Sequence, residues 1–411
     1  VSKQRKNVVP ILGLVACVAA WVVGSEVRTR QDIGASVVDA TKLGLRSIVA
    51  SNDETRPIGE KEFFAQLAML LEREYVDPVE NEEKLAQGAV RGMVAGLLEP
   101  ESRFMDKEAF EAWNSALDGK VEGLGADLGL QYDEALLAKA RQTPRSVDGL
   151  LLLPDLVVRS VYPGSPAEAV GLRPGDRIYR VEGKWVISSA DVEEARRLRD
   201  RATKGQVPPA ELAKARAEFQ QKTRSAKLAA KARDELTAGV GRSFEIEFER
   251  SGKRLKASAV TARTPRPAVR TKGGVVALQF VRGAGKALGA LPDGPLTIDL
   301  RNSGQGDPGE LVRCLEAVAP AGHYGVLAGK DGARPRPVTT EKGRKRGPIR
   351  LIVDSTTYGV AEAFALALFD AGLAVVEGKS AGRPNIVATA GLPDGSGYTL
   401  LTSRWMPEAG R

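Results

Sequence analysis

Residues 351–383, LIVDSTTYGVAEAFALALFDAGLAVVEGKSAGR, limit the architecture of this chain more than any other stretch. They read as a buried strand (351–353), a polar turn (354–359), a helix (360–371), a second strand (374–377) and a loop punctuated by glycine. Strands separated by a helix pair in parallel, because the return crossover consumes about a dozen residues. The turn sets small hydroxyl residues beside the first N–H groups of a helix, an arrangement suited to presenting a nucleophile. What the turn contains therefore bounds the chemistry available.

The same alternation runs through residues 273–411. Strands are expected at 275–280 and 296–302 and a helix at 309–319, followed by a Gly/Pro/Lys/Arg-rich connection over 321–348. A largely parallel sheet covered by helices follows from this order. With 411 residues the chain has room for two or three domains, so the fold class is multidomain α/β.

Metal and thiol chemistry find little support. The two cysteines, Cys17 and Cys314, have no ligand neighbours, and the one histidine, His323, lies in a Gly-rich turn. No zinc site and no cofactor are expected. Any hydrolytic chemistry would have to proceed without a histidine base.

Lys3, Arg5 and Lys6 precede a continuous apolar run over residues 8–24, then a charged stretch. This pattern fits a signal or membrane anchor (1–24) with its basic end in the cytoplasm and the remainder of the chain outside it, in a periplasm or cell envelope. Leu14, Val15, Ala16 and Cys17 also match a lipoprotein cleavage box, which leaves a lipidated Cys17 as the alternative. Residues 25–60 read as a linker. Residues 61–114 read as a helical region, with Phe63, Leu67 and Leu70 on one stripe and Leu85, Ala89, Met93 and Leu97 on another, both expected to be core.

Residues 121–263 differ, being rich in short β-type runs. Within them, PGSPAEAVGLRPGDRIYRVEGKWV (163–186) closely resembles the signature of PDZ domains in bacterial envelope proteases. Such a domain binds a peptide by adding it as a strand, its terminal carboxylate held by backbone N–H groups of a Gly-containing loop. Gly123, Leu124, Gly125 and Ala126, ahead of DLGLQY, match that loop. The helix walling the groove is expected to begin at Ser188, Ser189, Ala190 and Asp191, a capping-box pattern. Beyond it, residues 201–236 read as a charged helical insertion broken at Pro208 and Pro209.

Charge is concentrated there. Residues 196–236 hold 12 Lys/Arg against 5 Asp/Glu, a surplus that accounts for most of the net charge of +8. The basic interval is either a solvated helical face or a contact for an anionic membrane surface. Nucleic acid is not expected, since no aromatic platform accompanies the basic residues.

Helical cap, PDZ unit, then an α/β unit with IDLRN and LPDGSGYTL: this order resembles the carboxyl-terminal processing peptidases, or tail-specific proteases, from about residue 61 onward. The resemblance implies a serine nucleophile in a turn of the form S-A-S-A-S-E and a buried lysine base in a later F-G-K-G loop. Anchored on Glu362, the turn here reads T-Y-G-V-A-E, and the nucleophile position falls on Gly359. The base position falls on Pro384, or on Arg383 with one deletion, and an assisting glutamine would fall near Ala388. Glycine has no attacking group, proline no proton acceptor, and arginine stays charged at working pH. Thr357, Lys379 and Ser380 are the fallback candidates for relocated chemistry. Gly304 and Gly306 match the oxyanion loop.

Two functions are compatible with this pattern, beside a third, a purely structural envelope protein whose PDZ groove is occupied internally. One is an extracytoplasmic homologue that binds peptide or protein C-termini without cleaving them. The other is a serine-type endopeptidase whose catalytic residues have moved.

Overall fold

The computed structural model describes residues 82–142, 152–330 and 335–407, together with Leu67, Met69 and Val76. The anchor (1–24) with Cys17, the linker (25–60) and most of 61–81 lie outside the described residues. The chain divides into two compact units, Val1–Ala89 and Val90–Arg411. Helix α1 (Glu82–Ala95) carries most of the second apolar stripe, but Leu85 and Met93 on it and Leu97 in the turn after it are exposed rather than in a core.

In the second unit, β1 (Arg103–Met105) leads into α2 (Lys107–Leu117), whose N-cap Asp106 accepts the Ala109 N–H. β2 (Lys120–Val121) then enters the PDZ-like unit. That unit comprises β3 (Ala126–Gln131), α3 (Glu134–Gln142), β4 (Asp155–Val161), α4 (Pro166–Ala169), β5 (Arg177–Val181) and β6 (Lys184–Ile187). It continues through α5 (Ser189–Thr203), α6 (Pro209–Arg224), β7 (Lys227–Leu228), α7 (Ala229–Thr237), β8 (Ser243–Arg250) and β9 (Lys253–Val260).

Its sheet runs β3-β4-β5-β6-β7, with β8 pairing β5 and β9, so β3 lies at an edge. Alternate residues of β4 (Leu156, Val158) and β8 (Phe244, Ile246, Phe248) point into one apolar core, as the period of two requires. The Arg-Pro-Gly-Asp turn is fastened to β8: buried Asp176 accepts the Arg173 N–H and two Arg250 guanidinium bonds of 2.7 and 2.6 Å.

The helix against β3 differs from the one expected. α7 packs on β3 and β4 through Ala229, Ala232 and Leu236, while α5, which has the Ser188/Asp191 capping box, packs with α6. A capping box marks where a helix begins and carries no information about its partner. The interval 201–236 is thus not one projecting hairpin, since its last part belongs to the PDZ-like core.

β10 (Thr264–Pro265) pairs β2, and β11 (Val269–Lys272) hairpins with β12 (Val275–Leu278). The remaining elements are α8 (Ala284–Gly289), β13 (Leu296–Asp299), α9 (Gly309–Val318), β14 (Gly322–Ala328), β15 (Arg336–Thr340), β16 (Ile349–Ile352), α10 (Val360–Asp370), β17 (Ala374–Glu377), β18 (Asn385–Gly391) and β19 (Gly397–Met406). β12, β13, β16 and β17 form the expected parallel sheet, with β11 added antiparallel at one edge. A second, antiparallel sheet of β1, β19, β14, β15 and β18 joins it. The 321–348 connection therefore contains the β14–β15 hairpin, and His323 is an exposed strand residue beside Thr339.

Between the sheets lies a core of Leu278, Phe280, Ile298, Leu351, Phe364 and Leu368, with Phe280 and Phe364 meeting edge to face at 5.4 Å. One charged side chain is built into its border. Arg346 is 5% exposed and donates to the carbonyls of Leu288, Gly289, Leu291, Pro292 and Ala317, closing the ends of α8 and α9. Burial pulls its pKa down from the usual arginine value. Arg346→Met leaves these carbonyls without donors and is expected to cost about 3 kcal/mol, read as a lower midpoint in urea unfolding with an unchanged slope.

Candidate functional site

The strand-turn-helix forms as the sequence implies: β16, a turn over 353–359, and α10. At its apex Gly359 is the N-cap of α10 with φ 62° and ψ −132°. A strained backbone of this kind lifts a nucleophile out of a strand-to-helix turn. Here no side chain is raised. A Cβ at Gly359 would stand 3.0 Å from Gln305 Oε1 and 3.1 Å from its Cδ, so the Gln305 amide lies over the apex.

The loop assigned to the base is tied to the same turn. The Gly359 N–H donates to the Arg383 carbonyl at 2.8 Å. Buried Glu362, in the first turn of α10, accepts from Ser380 Oγ at 2.5 Å, the Gly382 N–H at 2.8 Å and the Arg383 N–H at 2.7 Å. Arg383 extends over the Tyr358 ring, its guanidinium carbon 5.7 Å from the centroid, and the Pro384 carbonyl accepts from the Trp405 N–H.

The fallback candidates are committed elsewhere. Thr357 is fully buried; its hydroxyl donates to the Leu300 carbonyl at 2.9 Å and accepts the Asp354 N–H. Ser380 is bound to Glu362, and Lys379 is exposed. The structure does not bring these three groups together as a nucleophile and base.

On the facing loop, Asp299 receives a two-pronged bond from Arg301, with 2.9 and 2.7 Å contacts, which outweighs burial and holds its carboxyl below the ordinary range. The Asn302 N–H is taken by Thr356 Oγ1 at 2.6 Å. Gly304 and Gly306 are needed for close approach: a Cβ would stand 2.2 Å from the Tyr358 ring in the first case and 2.3 Å from the Phe280 carbonyl oxygen in the second.

In the PDZ-like unit the loop Gly123, Leu124, Gly125 and Ala126 is buried, ahead of edge strand β3. The Gly123 and Leu124 N–H groups donate to the Gly239 and Leu236 carbonyls at 3.2 and 2.9 Å, so the end of α7 occupies two of the four donors assigned to a carboxylate. Among the described residues no group of three or more His, Cys, Asp or Glu side chains is placed to hold a metal ion.

Sequence reading missed the polar groups around this apex. Glu101, 7% exposed, accepts from Gln305 Nε2 at 3.1 Å, and burial raises its pKa, with Arg159 acting against the rise. Arg159, on β4, sits 5.6 Å from the Tyr358 ring centroid. A signal existed in the charge at position 159 inside the apolar run LVVRSVY.

A peptidase scaffold carrying a PDZ domain is thus described, and comparison with known proteins agrees. Residues 157–207 match the PDZ domain family, 33–109 the "Activating protease CtpB N-terminal domain" family, and 294–411 "Peptidase family S41". Three segments of the chain are thus similar to the domains of carboxyl-terminal processing peptidases. It is 26% identical over 350 residues to carboxy-terminal processing protease CtpB of Bacillus subtilis (strain 168), covering 83% of this chain and 63% of CtpB, less than two thirds of that relative's length. It is 32% identical over 115 residues to CtpA of the same organism, covering 28% of this chain and 20% of CtpA. The fold is shared with the photosystem II D1 C-terminal processing protease, at a TM-score of 0.54 and 19% identity, covering 84% of this chain and 87% of that one.

Adding a methyl at the apex tests its packing. Gly359→Ala is expected to cost about 1–3 kcal/mol through its positive φ and the Gln305 contact. Adding Gln305→Ala should recover part of the loss, whereas purely additive losses in a double-mutant cycle would show that Gln305 does not press on the apex.

Proposed function

We propose that this chain is a non-catalytic member of the carboxyl-terminal processing peptidase family that binds peptide or protein C-termini through its PDZ domain, serving as a scaffold, adaptor or regulator of an active relative. The observation that carries this reading is glycine at the apex of a nucleophile-type turn. Backbone shape alone cannot attack a carbonyl, and an angstrom of misplacement costs about a hundredfold in rate. Thr357, Lys379 and Ser380, each placed as described above, do not supply the missing pair. β3 at a sheet edge supports peptide addition. Capture of a terminal carboxylate at residues 123–126 then requires the end of α7 to withdraw from Gly123 and Leu124.

The test pairs binding with turnover. Fluorescent peptides with a free C-terminus should bind saturably, amidation should abolish binding, and neither fluorophosphonate labelling nor cleavage of an unstructured peptide should occur. Cleavage that disappears in Ser380→Ala or Thr357→Val would establish the relocated endopeptidase instead.

The N-terminal pattern supports a location outside the cytoplasm, on a membrane anchor or, through Cys17, a lipid. Exposed Arg197, Arg201, Lys204, Lys214 and Arg224 on α5 and α6 would then face anionic headgroups. A fragment of residues 90–411 should co-float with anionic but not neutral vesicles, and salt should release it. Flotation unchanged after replacing these five residues by Gln would refute the contact.

A further inference from the structure

Beside the apex lies a cavity of about 100 Å³ lined by Glu101, Asp127, Arg103, Arg159, Arg233 and Gln305, among others. It has room for about three waters at ~30 Å³ each. Its polar lining is unusual in being built and yet unfinished. Glu101 Oε1, Asp127 Oδ2, Arg159 Nη2 and Gln305 Oε1 are shielded from solvent and have no hydrogen-bond partner. Buried polar atoms are ordinarily satisfied, and four orphans around one cavity call for an occupant.

Two local devices place Arg159. The register of β3 against β4 shifts between Asp127, opposite Ser160, and Leu128, opposite Val158, so Arg159 is the extra residue of a bulge. Bulges re-aim side chains. The re-aimed side chain crosses β3 over Gly129, where a Cβ would stand only 1.8 Å from Arg159 Nε. Glycine at 129 is thus a steric requirement of the arginine.

The charges are unevenly paired. Asp234 alone faces two guanidinium groups, Arg103 at 3.7 Å and Arg233 at 3.1 Å. Arg159 lies near two carboxylates, Asp127 and Glu101, and also near the Arg383 and Arg233 guanidinium groups. Unpartnered carboxylate oxygens beside an unpartnered guanidinium nitrogen in one pocket suit a ligand carrying both charges. Neither a lone anion nor a lone cation would satisfy both the free guanidinium nitrogen and the free carboxylate oxygens.

We propose that this cavity binds a small α-amino acid as its zwitterion, the ammonium held by Glu101 and Asp127 and the carboxylate by Arg159 with Arg103 or Arg233. The proposal does not rest on the peptide-binding reading. The bound ligand would lie against Gln305, the residue that covers Gly359.

Calorimetry and thermal unfolding of the whole chain with glycine, L-alanine and L-serine test it. At least one should bind saturably, one per chain, and raise the Tm with concentration. Arg159→Gln, Glu101→Gln and Gly129→Ala should each weaken binding about tenfold or more, a change of roughly 1.4 kcal/mol. Neither acetate nor methylammonium should compete at concentrations where the amino acid saturates. Absence of saturable binding by all three amino acids would mean that only water fills the cavity and would overturn the proposal. Acetate binding as tightly as the amino acid would overturn it in favour of a simple anion site. Both of these outcomes are read on the unaltered protein, so they hold even if a variant fails to fold.

Discussion

One carboxylate that water barely reaches, Glu362, determines the shape of the whole apex. It sits in the first turn of α10, where the helix N-terminus favours negative charge, and gathers three donors from residues 380–383. A buried charge stripped of its donors would be strongly destabilising, so the loop cannot drift from the turn. The Gly359 N–H closes the ring from the other side through the Arg383 carbonyl. None of these bonds uses a nucleophile or a base. The frame of a reaction centre is therefore held by interactions indifferent to whether the reaction occurs, and it persists with glycine at its apex.

Around that frame polar and aromatic side chains pack closely. Gln305 lies over Gly359, Tyr358 rests against Gly304, and the guanidinium groups of Arg159 and Arg383 both lie within 6 Å of the Tyr358 ring centroid, at 5.6 and 5.7 Å. Arg159 comes from the PDZ-like sheet and Tyr358 from the peptidase-like turn, so the two units meet through an aromatic ring flanked by cations. Cavity and apex share Gln305, which lines the one and lies over the other.

Much of this was legible in the sequence. The run from Leu351 to Glu377 alternates apolar strand, polar turn and Ala/Leu-rich helix so clearly that the parallel sheet and the position of Gly359 follow directly. The Pro163–Val186 string gave the PDZ unit through its turn residues. Pairing across distance was hidden. The capping box at Ser188 is a stronger local signal than anything ahead of α7, so the wrong helix was set against β3. Apolar positions on α1 and in the turn after it suggested a core, yet Leu85, Met93 and Leu97 are exposed. The role of Arg346 in the Lys/Arg-rich connection is not legible in the sequence, because nothing local reveals five carbonyls converging from two helix ends. The cluster of Glu101, Asp127 and Arg159 draws on three separate strands and loops, and only folding reveals it.

The excursion through α5 and α6 has a consequence of its own. The chain leaves the PDZ-like sheet after Ile187 and returns in β7, which pairs in parallel with β6 so that Val186 lies opposite Lys227. Departure and return points are thus neighbours, and Trp185 clasps the returning helix through Lys222, 4.4 Å from its ring centroid. Closing such a loop costs little more when it is long than when it is short, since the entropy grows only with the logarithm of length. The segment can lengthen, shrink or change sequence over evolutionary time with little effect on the register of the strands it joins, and so it is where relatives of this chain are free to diverge.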